Sequence, residues 1–141
     1  MQQLFPVEIH SPEAMKSLGS TIAQHLSSGD ILALIGDLGA GKTHITQGIA
    51  SALGRQDAVT SPTFSLVNEY TDCTPELVHF DWYRMDNPEE LLAIGWEDYL
   101  EREAILVIEW PDRFPNMIPT GSHCIHIEHI EGGRRLSYLT A

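Results

Sequence analysis

Lysine is almost absent from this chain: of 141 residues, only Lys16 and Lys42 are lysines. Six arginines bring the basic total to 8 against 20 acidic residues, a formal net charge of −12. A surface this acidic repels a polyanion, which argues against strong independent binding of nucleic acid. It suits a basic protein partner, or simply keeps the domain soluble. Cysteine is scarce as well. Cys73 and Cys124 stand far apart and make neither a disulfide framework nor a zinc knuckle, so a reducing cytoplasm is the expected setting. No apolar stretch approaches the roughly 20 residues that span a bilayer, so no membrane partner is expected. Met1-Gln2-Gln3-Leu4 has no basic stretch ahead of an apolar one, and no signal peptide is visible. The length fits one domain over residues 1–141, able to bury about two-thirds of its unfolded surface without a staple.

What the chain does have is Gly36-Asp37-Leu38-Gly39-Ala40-Gly41-Lys42-Thr43. This is the G-x-x-x-x-G-K-[ST] pattern of a phosphate-binding loop. Its glycines let the backbone N–H groups of Leu38, Gly39, Ala40 and Gly41 point inward at phosphate oxygens. Lys42 is a point charge for the β- and γ-phosphates, and Thr43 offers a hydroxyl to Mg²⁺. The helix that follows turns its N-terminus toward the anion. The context agrees. Asp30-Ile31-Leu32-Ala33-Leu34-Ile35 upstream is an apolar run suited to a buried strand. Downstream, Ile45, Ile49 and Leu53 recur at helical spacing, and Gly54 stands where a helix ends.

Elsewhere the pattern alternates between the two periods. Leu4 to Ile9 reads as a first strand. Ser11, Pro12 and Glu13 then open a helix as N-cap, first position and first-turn acid. Met15, Leu18, Ile22 and Leu26 give that helix its apolar stripe, and Ser28-Gly29 ends it. Thr60 to Phe64 is a proline-fixed polar loop. Ser65–Tyr70 and Leu77–Asp81 read as strands. Short helices are expected from Asn87-Pro88 through Ile94 and from Trp96 to Arg102. Ala104 to Ile108 is nearly all apolar, as a strand buried on both faces should be. Cys124–Ile130 and Arg134–Leu139 should pair about a Gly132-Gly133 turn. The fold class expected is α/β: a three-layer sandwich of the P-loop NTPase kind. Its central mixed sheet would have about seven strands, flanked by helices and closed by a C-terminal antiparallel hairpin.

A phosphate loop needs an acidic residue at the end of a neighbouring apolar strand to hold or orient Mg²⁺. Asp81 and Glu109 both qualify. Glu109 follows the better strand and is assigned to the metal directly. Asp81, in His79-Phe80-Asp81-Trp82-Tyr83-Arg84, is assigned to the metal's water shell or to the attacking water. Trp110 can pack on a base or a partner, and Arg84 can stabilise transferring charge or sit in a surface salt bridge. His123, His126 and His129 look like a ligand series, but on a strand His126 faces away from the other two, which argues against a metal site.

Taken together, the loop at 36–43, Ser61-Pro62-Thr63-Phe64, the 79–84 cluster and Glu109-Trp110-Pro111 resemble, in order, the four motifs of the TsaE (YjeE) family. The resemblance covers nearly the whole chain. It implies a small ATPase required for threonylcarbamoyladenosine modification of tRNAs that read codons starting with A. Such a protein works with the TsaB–TsaD heterodimer to support its turnover and does not itself transfer the group; tRNA would be a partner only indirectly. It implies ATP or ADP on the loop, Mg²⁺ on Thr43 and Glu109, a requirement for Asp81, and Trp110 close to the nucleotide. It also implies Ser11 near the base and Arg134 within reach of the nucleotide. His44 departs from the family, where a Thr or small residue is common. At the helix N-terminus near the α-phosphate, a charged His44 would tighten nucleotide binding at low pH. The competing readings are a small-molecule kinase and a nucleotide-dependent binding switch with negligible hydrolysis. A kinase ordinarily surrounds the phosphate with several arginines and a lid, whereas Arg84 alone lies inside a motif here.

Overall fold

The computed structural model describes residues 1–37, 41–62 and 65–140. The strands are β1 (Val7–Ile9), β2 (Ile31–Ile35), β3 (Val67–Tyr70), β4 (Leu77–Asp81), β5 (Ile105–Glu109), β6 (His123–Ile130) and β7 (Gly133–Thr140). They form one sheet in the order β1-β7-β6-β2-β5-β4-β3. The central strands β6, β2, β5 and β4 run parallel; β3 is an antiparallel edge beside β4, and on the other side β7 lies antiparallel to β6 and carries β1 antiparallel to itself at the edge. The helices are α1 (Pro12–Ala23), α2 (Lys42–Ala52), α3 (Pro88–Ala93) and α4 (Trp96–Glu101). This is the mixed α/β sheet that the patterning predicts.

The apolar runs are buried on both faces because helices cover both. On one face Leu32, Leu34, Leu77, Ile105, Val107 and Ile125 pack with Ile22, Ile45 and Ile49 of α1 and α2. On the other, Val78, Phe80, Leu106 and Ile108 pack with Leu91 and Trp96 of α3 and α4. There Phe80 and Trp82 each meet Trp96 edge-on at 5.3 Å between ring centroids, a favoured arrangement of ring quadrupoles.

Local signals set most helix ends. Ser11 caps α1, its Oγ accepting from Ala14 N at 3.0 Å. Asn87 caps α3 in the same way. Several boundaries differ from the sequence reading by one to a few residues, and three of them have a local physical reason. The first strand is only Val7–Ile9, with a 3₁₀ turn over Gln2–Leu4 before it. As an edge strand it is no longer than its three-residue pairing with β7. The first helix ends at Ala23, before Ser28-Gly29. His25 N and Leu26 N donate to Ile22 O and Ala23 O, tightening the last turn, and Leu26 is buried in that tail. The third difference is at the hairpin. Gly132 takes a positive φ of 77° in the turn, but Gly133 already belongs to β7. A Cβ at Gly133 would lie 2.3 Å from Ile9 O, so that glycine serves the approach of β1.

The helix pair that carries the loop is packed through glycine. A Cβ on Gly19 would lie 2.2 Å from Ile45 O, and one on Gly48 2.0 Å from Lys16 O. The α1 and α2 backbones therefore touch. Gly48→Ala is expected to cost about 1–3 kcal/mol by overpacking. In urea the unfolding midpoint should fall at constant slope, and an unchanged midpoint would mean that the helices separate freely.

Candidate functional site

Three parallel strands deliver their C-terminal ends to one edge of the sheet, which is where open α/β sheets bind ligands. From β2 the chain enters the 36–43 loop. Leu38, Gly39, Ala40, Thr63 and Phe64 lie outside the described residues. Gly41 takes a φ of 105° as it caps α2, a conformation natural to glycine. Lys42 is the first residue of α2 and only 5% exposed. Its Nζ donates to Gly36 O at 2.8 Å, lies 3.7 Å from Glu109 Oε1, and sits 4.3 Å over the Trp110 ring. Burial lowers the Lys42 pKa, while the carboxylates of Glu109, Asp81 and Asp112 act in the opposite sense. An ammonium stripped of much of its water in this way has already lost solvent that phosphate would otherwise displace.

Asp81 ends β4 and Glu109 ends β5, directly opposite each other in the parallel register. Both are buried. Asp81 Oδ1 accepts from Tyr83 N at 2.9 Å, which fixes the carboxylate. Glu109 extends one oxygen toward Lys42 and the other toward His79, whose Nε2 is 2.5 Å from Oε2. That approach lies off the line of an aligned hydrogen bond, and neither ring nitrogen of His79 has such a bond among the described residues. His79 carries no role in the sequence reading beyond its place in a polar cluster. Its position on the same face as Asp81, two residues earlier, is the signal that points to it.

Thr43 follows Lys42 on α2 and is half-buried. Its hydroxyl and the two carboxylates are hard oxygen donors of the kind Mg²⁺ takes. Among the described residues, no group of three or more His, Cys, Asp or Glu side chains can hold a metal by itself. The donors thus fit an ion shared with phosphate and water. On β6, His123 Nδ1 is 2.8 Å from the Tyr138 hydroxyl, and His126 is 3.4 Å from Glu128.

Trp110 has a positive φ of 59°, uncommon for a bulky side chain and a mark of local strain. Its ring lies between Lys42 and Tyr83, 4.8 Å from the Tyr83 ring. On the other side of the loop is a cleft of about 220 Å³, whose lining includes His10, Ser11, Met15, Gly41, His44 and Arg134. Ser11, Gly41, His44 and Arg134, four residues drawn from distant segments, thus share one cavity next to the start of α2. His10, Met15, Gly132 and Gly133 also line it and were not legible as site residues. A second depression of about 280 Å³ has Asp37, Asp112 and Glu128 in its lining together with His126, His129 and Trp110.

The family model for the threonylcarbamoyl adenosine biosynthesis protein TsaE matches residues 9–136. The chain belongs to the TsaE family. It is 36% identical over 115 residues to the tRNA threonylcarbamoyladenosine biosynthesis protein TsaE of Haemophilus influenzae, covering 82% of this chain and 73% of that one. It is 34% identical over 139 residues to the TsaE of a Nostoc species, covering 96% and 85%. The crystal structure of Bacillus subtilis YdiB superposes with a TM-score of 0.78 at 30% identity, over 95% of this chain and 83% of that one. The match to the TsaE model begins at Ile9 and ends at Leu136, so it takes in the loop, both strand-end carboxylates, Trp110 and Arg134. No helix among the described residues is long and apolar enough to cross a membrane.

Proposed function

We propose that this chain is the ATP-binding and ATP-hydrolysing subunit of tRNA threonylcarbamoyladenosine biosynthesis. In this reading it acts in the cytoplasm with the TsaB–TsaD heterodimer to support turnover and does not transfer the group itself. The observation that carries the reading is the placement of Lys42 at the loop, facing Glu109, with Asp81 on the adjoining strand end. The loop amides and Lys42 bind the phosphates, and the cleft holding Ser11, His44 and Arg134 receives the nucleoside. Thr43 and Glu109 hold Mg²⁺, which when bound neutralises charge on the phosphate oxygens. Asp81 fixes a water, either in the metal's shell or the one that attacks. Trp110 closes the mouth beside Lys42 and Tyr83.

The partner part rests on charge. A net −12 together with Asp37, Asp112 and Glu128 in the second depression favours a basic protein surface over RNA, so tRNA is met only indirectly. Pull-down of TsaB and TsaD on this chain, with ATP and with ADP, is the test. Retention that differs between the two nucleotides is expected. No retention with either would remove the partner from the reading, and accumulation of a phosphorylated metabolite in place of inorganic phosphate would favour a kinase.

A further inference from the structure

We infer that His79 is a positioning residue that aims Glu109 at the metal side of the loop. The inference rests on the reading that Glu109 supports Mg²⁺. Alternation along β4 puts Leu77, His79 and Asp81 on one face, and β5 puts Ile105, Val107 and Glu109 on the same face. Leu77, Ile105 and Val107 belong to the core beneath α2. His79 is fully buried beside them, 0% exposed. An aliphatic side chain would fill that space without stripping an imidazole of water, so packing alone does not account for a histidine here.

What the ring does is visible in its contact. With Nε2 2.5 Å from Glu109 Oε2, nothing fits between the two. Oε2 is therefore turned into the protein and removed from competition for any ligand. Oε1 is left facing Lys42 at 3.7 Å, toward the loop. A glutamate has three rotatable bonds, and His79 selects the arrangement that presents one oxygen outward. Partners of this kind, one step behind a metal-holding carboxylate, typically change metal affinity 10–100-fold when lost. The imidazole acts through Glu109.

The test is a titration of Mn²⁺ into the ADP complex of the full chain, followed by the electron paramagnetic resonance of free Mn²⁺. Glu109→Gln is the control for the underlying reading and should weaken Mn²⁺ binding. His79→Leu should weaken it by about 10–100-fold. His79→Gln, whose amide N–H reaches the place of the imidazole Nε2, should stay within a few-fold of wild type. Affinity for ADP without metal should be unchanged in both His79 variants. If His79→Leu does not fold, His79→Asn, one methylene short of that reach, replaces it with the same expected loss. Wild-type Mn²⁺ affinity in His79→Leu beside a weakened Glu109→Gln would overturn the positioning role alone. An unweakened Glu109→Gln would overturn the metal reading and this inference together. Equal losses in the Leu and Gln variants, or a parallel loss of metal-free ADP binding, would show that the imidazole only packs.

Discussion

Asp81→Ala is expected to lower phosphate release from ATP by about 10²-fold or more while leaving nucleotide affinity within a few-fold. The separation follows from where Asp81 sits. It is buried at the end of β4, opposite Glu109, with Oδ1 held by Tyr83 N. Removing it has two opposed effects on phosphate binding. Lys42 loses one of the carboxylates that support its charge against burial. The phosphate in turn loses a negative neighbour. These offset in affinity, but nothing replaces a carboxylate that fixes a water for attack. Asp81→Asn sharpens the comparison, because it keeps an acceptor for Tyr83 N and drops only the charge. It should fold like wild type and hydrolyse as poorly as the alanine variant. Calorimetric binding of nucleotide, set beside single-turnover phosphate release, is the measurement. Equal losses of binding and turnover would assign Asp81 to the metal or to structure.

Hydrolysis by the isolated chain is expected to be slow and to rise at least roughly tenfold when TsaB and TsaD are added; where a partner arginine completes such a site the gain reaches 10³–10⁵. The reason is the disposition of the arginines. Arg102 pairs with Glu69 and Glu76, Arg55 with Asp72, and Arg135 with Glu8. Arg113 donates to Met85 O. Arg134 lines the cleft beside the start of α2, and Arg84 is exposed. Arg55, Arg102, Arg113 and Arg135 are thus held elsewhere, and the charge-stabilising finger is expected from the partner. The excess of 12 negative charges should steer a basic partner, and such steering is screened over about 8–10 Å at ordinary salt. Stimulation should therefore weaken along a salt series. A fast rate from the chain alone, indifferent to the dimer, would reject partner gating.

The sequence by itself determined what depends on neighbours along the chain. Ile31–Ile35 is apolar on both sides of the pleat and forms a central strand. Ser11-Pro12 and Asn87-Pro88 start helices because a side-chain oxygen and a fixed φ act within one turn. An apolar run closed by an acid is equally local, and so Asp81 and Glu109 were legible as candidates before any contact was known. What joined them was decided only by the tertiary structure. The strand order β2-β5-β4 brings residues 34, 81 and 109 side by side, and no pattern within a segment specifies which strand lies next to which. The same holds for Gly19 and Gly48, the points where the two helix backbones touch. It holds for His79, an ordinary member of a polar-aromatic cluster until β5 places Glu109 2.5 Å from its ring. It holds as well for the cleft, where Ser11, His44 and Arg134 meet across more than a hundred residues of chain. Periodicity and capping are energies of adjacent residues, whereas register, close approach and the sharing of one carboxylate between Lys42 and His79 are energies of distant ones. Those terms exist only once the sheet has closed.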